Sequence, residues 1–271
     1  MNNVDDLRLR LVQATAGPDP AENLKRLGER LAKLPHRPAL TVLPENTLVA
    51  GRAETIRAAA DTVAGWRKRL TPLAKLADAP LVIGGVPIRD GRDGIRQCAL
   101  VLAADGTLLA RYDKRHLFQL RPGKPNGTDE TALYRPGRTG PVAFAWNGWR
   151  IGIAICFDLR FPEFFRALTP PADIWLCPAA FARETGRAHW ELLLRARAVE
   201  NQCYVAAAGL CGTDVETGFV CYGHSLVADP WGAVTAEAEP ADREAVLETV
   251  LAKARLADVR RQLPALAARR D

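Results

Sequence analysis

The chain has 271 residues, of which 48% are hydrophobic and 25% are charged. This composition is typical of a globular protein long enough to bury a large core, and it argues against disorder, collagen and coiled coil. Lysine and arginine total 37 against 31 acidic residues, a net charge of +6 that argues only weakly for nucleic-acid binding and would equally suit small anionic substrates.

The cysteines and the N-terminus indicate the compartment. No CxxC pair is present and several cysteines lie inside apolar runs, which favours reduced thiols over a disulfide framework or a zinc site. The N-terminus MNNVDDLRLR has no apolar signal core, and no uncharged apolar run approaches the ~20 residues of a membrane helix. We therefore expect a cytoplasmic protein without a membrane segment. The six cysteines are Cys98, Cys156, Cys177, Cys203, Cys211 and Cys221.

Strand-like and helix-like runs alternate through the first half of the chain. LRLRLVQ (7–13) alternates like a strand, and the leucines of 17–34 follow at helical spacing. Strands at 39–43 and 80–88 enclose one or two helices over 53–78. QCALVLA and TLLARYDK, joined by Asp105 and Gly106, predict a hairpin, which argues against a purely parallel sheet.

The second half begins with the longest irregular segment, 121–140, which is rich in glycine, proline and polar residues. Long structureless loops in compact domains are usually functional or disordered. The remaining predicted elements are strands at 142–146, 150–156, 173–177, 203–209, 224–229 and 245–251, and helices from Pro162 and over 186–201. No fixed-period repeat or low-complexity linker marks a boundary, so one domain over 1–271 is expected.

Cys156 lies between the apolar run RIGIAI and the charged turn FDLRFPE. The run predicts a buried strand, and Pro162 followed by Glu163 is typical of a helix start. Cys156 thus falls at a strand-to-helix turn, where helix-end amides can lower a thiol pKa. Since free cysteines are among the most buried residue types, position alone leaves both a core thiol and a nucleophile open.

Two further reactive side chains follow predicted strands. Glu45 comes just after ALTVL and Pro44, and Lys114 ends the second strand of the hairpin. Each alone is more often a solvated surface charge. Together with Cys156 they are reactive groups at the ends of three strands, which is how α/β folds assemble active sites.

Three segments, TVLPENTL, YDKRHLF and GIAICFDLRFPE, resemble the signature segments of the nitrilase, or carbon–nitrogen hydrolase, superfamily. The resemblance continues through PAAF, TGRAHWELLLRARAVENQCYVAAA and YGHSLVADPWG, so it covers nearly the whole chain. It implies an α/β fold, a four-layer αββα sandwich with two mixed sheets face to face and helices outside.

The same resemblance implies roles for individual residues. Cys156 would attack the amide carbon, Glu45 would be the general base, and Lys114 would stabilise the oxyanion. The backbone amide of Phe157 would be a second oxyanion donor. Glu130, the only glutamate between the lysine and the cysteine, would have a positioning role.

The sequence after the cysteine resembles the amidase branch that contains ω-amidases and deaminated glutathione amidases, where tyrosine is commoner than Phe157. This implies small carboxylate-bearing ω-amides as substrates, such as deaminated glutathione, 2-oxoglutaramate or 2-oxosuccinamate. A cationic pocket would suit them, although a surface or intramolecular ion pair is as common for any one arginine. The substrate-binding candidates are Arg115, Arg160, Ala180, Phe181 and Arg183.

Two alternatives stay open. An N-carbamoyl amino acid or β-ureidopropionate amidohydrolase would share the same three catalytic residues, and a silent binding protein of this fold would be expected to lack one of them. No HExxH, Walker or GxGxxG motif is present, so no metal or cofactor is expected. The resemblance also implies a homodimer, with the C-terminal segment of about 250–271 at its interface, and no nucleic-acid or membrane partner.

Several residues are expected to be structural. His189 and Trp190 should pack or support the site, and His224 should anchor a hydrogen bond at the start of a strand. Cys98, Cys177 and Cys203 lie within apolar strands and should be core, whereas Cys211 and Cys221 flank GTDVETGFV and are candidates for exposure.

Overall fold

The computed structural model describes residues 6–91, 94–119 and 129–270, and in them two six-stranded mixed sheets form the centre of the molecule. The strands are β1 (Leu7–Gln13), β2 (Leu40–Leu43), β3 (Leu81–Arg89), β4 (Ile95–Leu102), β5 (Leu108–Asp113), β6 (Val142–Trp146), β7 (Trp149–Ile153), β8 (Ile174–Leu176), β9 (Tyr204–Ala207), β10 (Cys211–Thr213), β11 (Val220–Tyr222), β12 (Leu226–Ala228), β13 (Val234–Glu237) and β14 (Ala245–Leu251). The α-helices are α1 (Pro20–Ala32), α2 (Ala53–Ala59), α3 (Val63–Ala77), α4 (Pro162–Arg166), α5 (Arg183–Asn201) and α6 (Lys253–Gln262). Two 3₁₀ helices span Glu130–Ala132 and Cys156–Arg160.

The two sheets repeat one pattern of strand directions. The first has the order β14-β1-β2-β3-β4-β5 and the second, read from its other edge, β6-β7-β8-β9-β12-β13. In each, an antiparallel edge pair is followed by two parallel pairs and then two antiparallel pairs. Strands β2 and β5 therefore run in the same direction, and their C-terminal ends lie at the same end of the first sheet.

Alternating side chains of the first sheet divide the core into two layers. Leu9 and Val82 belong to the cluster shared with the second sheet, whereas Val12 and Ile83 pack on the other face with helices α1 and α3. Helix α5 covers the outside of the second sheet through Trp190, which is buried. The order of layers is helices, sheet, sheet, helices, which confirms the predicted αββα sandwich.

The structure adds elements that the hydrophobic pattern did not predict. Strands β10 and β11 form a separate antiparallel hairpin, in which Cys211 and Cys221 are buried. The expectation that these two thiols are exposed is therefore wrong. The turn after Cys156 is a 3₁₀ helix, and the predicted helix from Pro162 is only the short α4. Of the irregular segment 121–140, residues 121–128 lie outside the described part of the chain.

The C-terminal segment packs on its own chain. Helix α6 buries Leu256 and Val259, and the ammonium of Lys253 lies 2.6 Å from a carboxylate oxygen of Asp173. Arg260 pairs with the other oxygen of Asp173 at 3.0 Å. A role for residues 250–271 at a dimer interface stays a prediction. Among the described residues, no helix is both long and apolar enough to cross a membrane.

Candidate active site

Glu45 is held beside a close approach of two strands. It follows β2 and is 1% exposed, and the next residue, Asn46, has a φ of 59°. Gly85 of β3 has a φ of 68°, and a Cβ atom there would lie 2.4 Å from the Asn46 nitrogen and 2.9 Å from Glu45 Cγ. Only glycine therefore fits at position 85 without displacing Glu45.

Both carboxylate oxygens of Glu45 have partners. Oε1 lies 2.7 Å from Lys114 Nζ, and Oε2 accepts a hydrogen bond of 2.8 Å from the backbone amide of Ala180, just beyond β8. The carboxylate is thus fixed between the two sheets, since Lys114 follows β5 of the first and Ala180 follows β8 of the second.

Lys114 lies between two carboxylates. It is 1% exposed, and Nζ is 2.8 Å from both oxygens of Glu130 in addition to its contact with Glu45. Glu130 also accepts a 2.7 Å hydrogen bond from the amide of Phe118, which binds it to the segment after Lys114. The structure therefore brings Glu130 into one cluster with Glu45 and Lys114, and the positioning role that the resemblance implies for Glu130 stays a prediction.

Cys156 lies at a sharp turn of the backbone. Its φ of 44° is uncommon for a residue with a side chain and is typical of backbone strain at functional sites. The Cys156 amide donates to the carbonyl of Pro178 at 3.0 Å, which ties the turn to the segment after β8. The side chain is 8% exposed and lines a cavity together with Glu45 and Glu130.

Asp158, which the sequence did not single out, joins the turn of Cys156 to the strand that leads to Lys114. It is fully buried, and its Oδ2 accepts hydrogen bonds of 2.8 Å from the Ile155 amide and from the Tyr112 hydroxyl. Its Oδ1 lies 2.7 Å from His116 Nδ1. Asp158 thus links the backbone just before Cys156 to Tyr112 and His116, which lie on either side of Lys114 in the sequence. The spacing C-x-D gave no signal that separated this role from a surface charge.

The charges of the cluster shift the pKa of its members. Burial, and next the negative charge of Glu45, raise the pKa of the Cys156 thiol well above its usual value. Burial opposes the Lys114 ammonium, but Glu130 and Glu45 outweigh it and raise the pKa of Lys114 well above its usual value. Burial also raises the pKa of Glu130.

These shifts correct the expectation that helix-end amides lower the pKa of Cys156. The turn places a carboxylate, not a long helix, beside the sulfur. The raised pKa values favour a protonated Cys156 thiol and a charged Lys114 ammonium, next to the Glu45 carboxylate.

The cavity and the open solvent at its mouth together comprise about 740 Å³ of space, and its walls are partly aromatic. Arg160 is half-buried in it, with its guanidinium 5.8 Å from the Phe157 ring centre and 5.1 Å from that of Phe181. Its Nη1 lies 3.4 Å from His189 Nδ1, and no carboxylate of the described residues forms an ion pair with it. Arg160 is thus a cation available to a ligand. The lining residues are Glu45, Asn46, Ala50, Gly51, Ile56, Phe118, Glu130, Cys156, Phe157, Arg160, Ala180, Phe181, Ala182, Thr185, Leu210, Asp214, Phe219 and Cys221.

The other arginine candidates lie elsewhere. Arg183 is exposed at the first turn of α5, and Arg115 is exposed with Nη1 3.3 Å from the carbonyl of Thr139. Neither lines the cavity that the described residues form. Ala180 and Phe181 do line it.

Trp190 and His224 make the structural contacts expected of them, whereas His189 is exposed. Trp190 is buried, and its indole donates to the carbonyl of His224 at 2.7 Å. His224 Nδ1 lies 3.0 Å from Glu237 Oε1. Within the described ranges, no group of three His, Cys, Asp or Glu side chains could hold a metal ion.

A cavity that presents a buried thiol beside a carboxylate is typical of hydrolases that form a covalent acyl intermediate. The family model for carbon–nitrogen hydrolases matches residues 8–261. The chain therefore belongs to the carbon–nitrogen hydrolase family, which confirms the resemblance of its three motifs.

Curated relatives cover most of the chain. A deaminated glutathione amidase from Synechocystis is 34% identical over 261 residues, covering 94% of this chain and 95% of the relative. An omega-amidase from Xenopus tropicalis is also 34% identical over 261 residues, covering 95% and 92%.

Solved structures share the fold. A carbon–nitrogen hydrolase superfamily protein from Xanthomonas campestris, with an arsenic adduct in its active site, has a TM-score of 0.86 at 34% identity, covering 98% of both chains. A mutant amidase from Nesterenkonia, with the acetamide moiety of fluoroacetamide covalently added at its active-site cysteine, has a TM-score of 0.79 at 30% identity, covering 97% of both chains.

The Gly85→Ala variant should lose activity while it remains folded. The new methyl group would displace Asn46 and with it Glu45, so we expect kcat to fall by roughly tenfold or more. Gly91→Ala is the matched control, because Gly91 also has a positive φ, 57°, but an added Cβ there would meet no atom of the described residues beyond its chain neighbours within 4 Å. Equal kcat values for the two variants, measured by amine release, would contradict this account of Gly85.

The Glu45→Gln variant should lower the pKa of the Cys156 thiol. The folded state now raises this pKa, so thiolate appears only at high pH, and removing the Glu45 charge should move the alkylation midpoint to lower pH. The measurement is the pH dependence of iodoacetamide labelling of the tryptic peptide 151–160. Asp214→Asn, which changes another cavity carboxylate, is the control and should move the midpoint less. A midpoint that rises in Glu45→Gln would show that the carboxylate does not act on the thiol.

Proposed function

We propose that this enzyme hydrolyses the C–N bond of small amides through a thioester on Cys156. The observation that supports this most directly is the contact of Glu45 with Lys114 at 2.7 Å, next to a cavity that the Cys156 side chain lines. One buried group can take a proton there while another stays positively charged, which acyl transfer requires.

In the first half of the reaction, Glu45 takes the proton of the Cys156 thiol as sulfur attacks the amide carbon. The negative oxygen that forms is stabilised by Lys114 and by the amide of Phe157. The C–N bond then breaks, Glu45 gives the proton to the leaving nitrogen, and ammonia or an amine departs. An acyl thioester remains on the sulfur.

In the second half, water replaces the amine. Glu45 takes a proton from water as its oxygen attacks the thioester carbon, and the carbon–sulfur bond breaks to release a carboxylic acid. The proton returns to sulfur and restores the thiol. Glu130 takes no part in bond exchange in this scheme, but its two 2.8 Å contacts keep Lys114 charged and in place.

The substrates that we propose are ω-amides of 2-oxo dicarboxylic acids, such as deaminated glutathione, 2-oxoglutaramate and 2-oxosuccinamate. Relatives at 34% identity named deaminated glutathione amidase and omega-amidase support this class. The guanidinium of Arg160, which has no carboxylate partner in the described part of the chain, could bind the carboxylate of such a substrate.

The experiment that tests the proposal compares ammonia or amine release from these three ω-amides and from an N-carbamoyl amino acid. We expect turnover of at least one ω-amide and little of the carbamoyl compound, because the relatives at 34% identity are named deaminated glutathione amidase and omega-amidase. Cys156→Ala should lose essentially all activity. Turnover retained by that variant would refute the thioester mechanism, and preference for the carbamoyl compound would favour the amidohydrolase alternative.

We further propose that the enzyme works in the cytoplasm as a homodimer, without nucleic-acid or membrane partners. The cytoplasm is supported by six buried free cysteines, which suit a reducing compartment. The dimer rests on the family resemblance alone, and light scattering at micromolar concentration should give twice the mass of the 29.5 kDa chain. A monomer mass would contradict it.

A further inference from the structure

The tip of the β10–β11 hairpin, residues 214–219, is stabilised by hydrogen bonds within the tip itself. Asp214 Oδ1 accepts a hydrogen bond of 2.9 Å from the amide of Glu216, and Asp214 Oδ2 accepts one of 2.7 Å from the hydroxyl of Thr217. The amide of Gly218 donates to the carbonyl of Asp214 at 2.8 Å. The Glu216 carboxylate takes no part in these bonds, so the tip does not need it to form its turn.

The Glu216 carboxylate instead reaches across to the start of helix α2. Its Oε2 accepts hydrogen bonds of 2.7 Å from the Arg52 amide and of 2.7 Å from the Thr55 hydroxyl. A Cβ atom at Gly51, whose φ is 154°, would lie 2.3 Å from the same oxygen, so glycine is needed for this approach. These contacts join segments more than 160 residues apart in the sequence.

The two segments that Glu216 joins both form walls of the active-site cavity. Gly51 and Ile56 line it from the side of α2, and Asp214 and Phe219 line it from the hairpin. Neither wall belongs to the buried cluster around Lys114. Moving the hairpin away from α2 would therefore widen the cavity and leave the reacting groups in place.

We propose that Glu216 is a positioning residue that fastens the β10–β11 hairpin to helix α2 and so sets the size of the amide that reaches Cys156. This inference rests on the proposed amidase function for its consequence on substrates. The contact itself belongs to the fold and can be tested without turnover.

The kinetic test uses Glu216→Ala, with Glu216→Gln as the conservative variant, because an amide oxygen can accept the same two hydrogen bonds. For 2-oxoglutaramate, Glu216→Ala should raise KM by roughly fivefold, the scale of a lost hydrogen bond at a partly exposed site, with kcat nearly unchanged. The N-benzyl amide of the same acid should gain in relative kcat/KM. Glu216→Gln should restore most of the wild-type values, and Val215→Ala, at the exposed tip, should change neither.

The second test measures access to Cys156 by alkylation, which needs no substrate. Wild-type protein and variants are labelled with iodoacetamide or the bulkier N-phenylmaleimide, and mass spectrometry follows the peptide 151–160. We expect Glu216→Ala to label several-fold faster with the maleimide relative to iodoacetamide. Thr55→Val removes one of the two hydrogen bonds without altering the hairpin, and it should change the labelling ratio less than Glu216→Ala, in the same direction. The double variant Thr55→Val/Glu216→Ala should label like Glu216→Ala alone.

The outcomes separate the two proposals. If wild-type protein hydrolyses none of the amides, the proposed function fails, and the labelling ratio still decides the role of Glu216. If the amides are hydrolysed but Glu216→Ala and Thr55→Val both keep the wild-type KM and labelling ratio, the inference about Glu216 is wrong. If Glu216→Ala does not fold, Thr55→Val alone decides, and a wild-type labelling ratio in it overturns the inference.

Discussion

The structure depends on a buried ammonium shared by two carboxylates. Lys114 contacts Glu45 and Glu130 at 2.7 to 2.8 Å, and almost none of the three side chains is exposed. Burying charge is costly unless every charge is paired and hydrogen-bonded, so the surrounding backbone has to supply the remaining partners. The amides of Ala180 and Phe118 do so, which fixes the ends of β5 and β8 relative to each other.

This arrangement explains why the proposed nucleophile, Cys156, can be neutral in the absence of substrate. A thiol in a buried, negatively charged site keeps its proton, as the raised pKa of Cys156 indicates. The same carboxylate that raises that pKa is the group that can accept the proton once a substrate fills the cavity. In the proposed mechanism, the thiol therefore becomes reactive when a substrate occupies the cavity.

Local patterns in the sequence predicted most strands and helices, whereas the four layers and the roles of the reactive residues were implied by the resemblance of the motifs to a known family. Alternating and helical periodicities located most elements, and the three motifs placed Glu45, Lys114 and Cys156 at strand ends. Sequence patterns could not reveal what depends on distant contacts. The role of Asp158 requires Tyr112, and that of Glu216 requires Thr55, which are far away in the chain. The burial of Cys221 likewise follows from a hairpin folding back, not from its neighbours.

The two sheets share a pattern of strand directions but divide the reactive groups unequally. Glu45 and Lys114 follow strands of the first sheet, and Cys156 follows β7 of the second. Each sheet carries only part of the proposed catalytic set, so the proposed mechanism requires the two sheets to pack in one relative alignment. The side chains packed between the two sheets fix this alignment. Substitutions among these side chains, far from the cavity, can therefore lower the proposed activity by shifting one sheet slightly relative to the other.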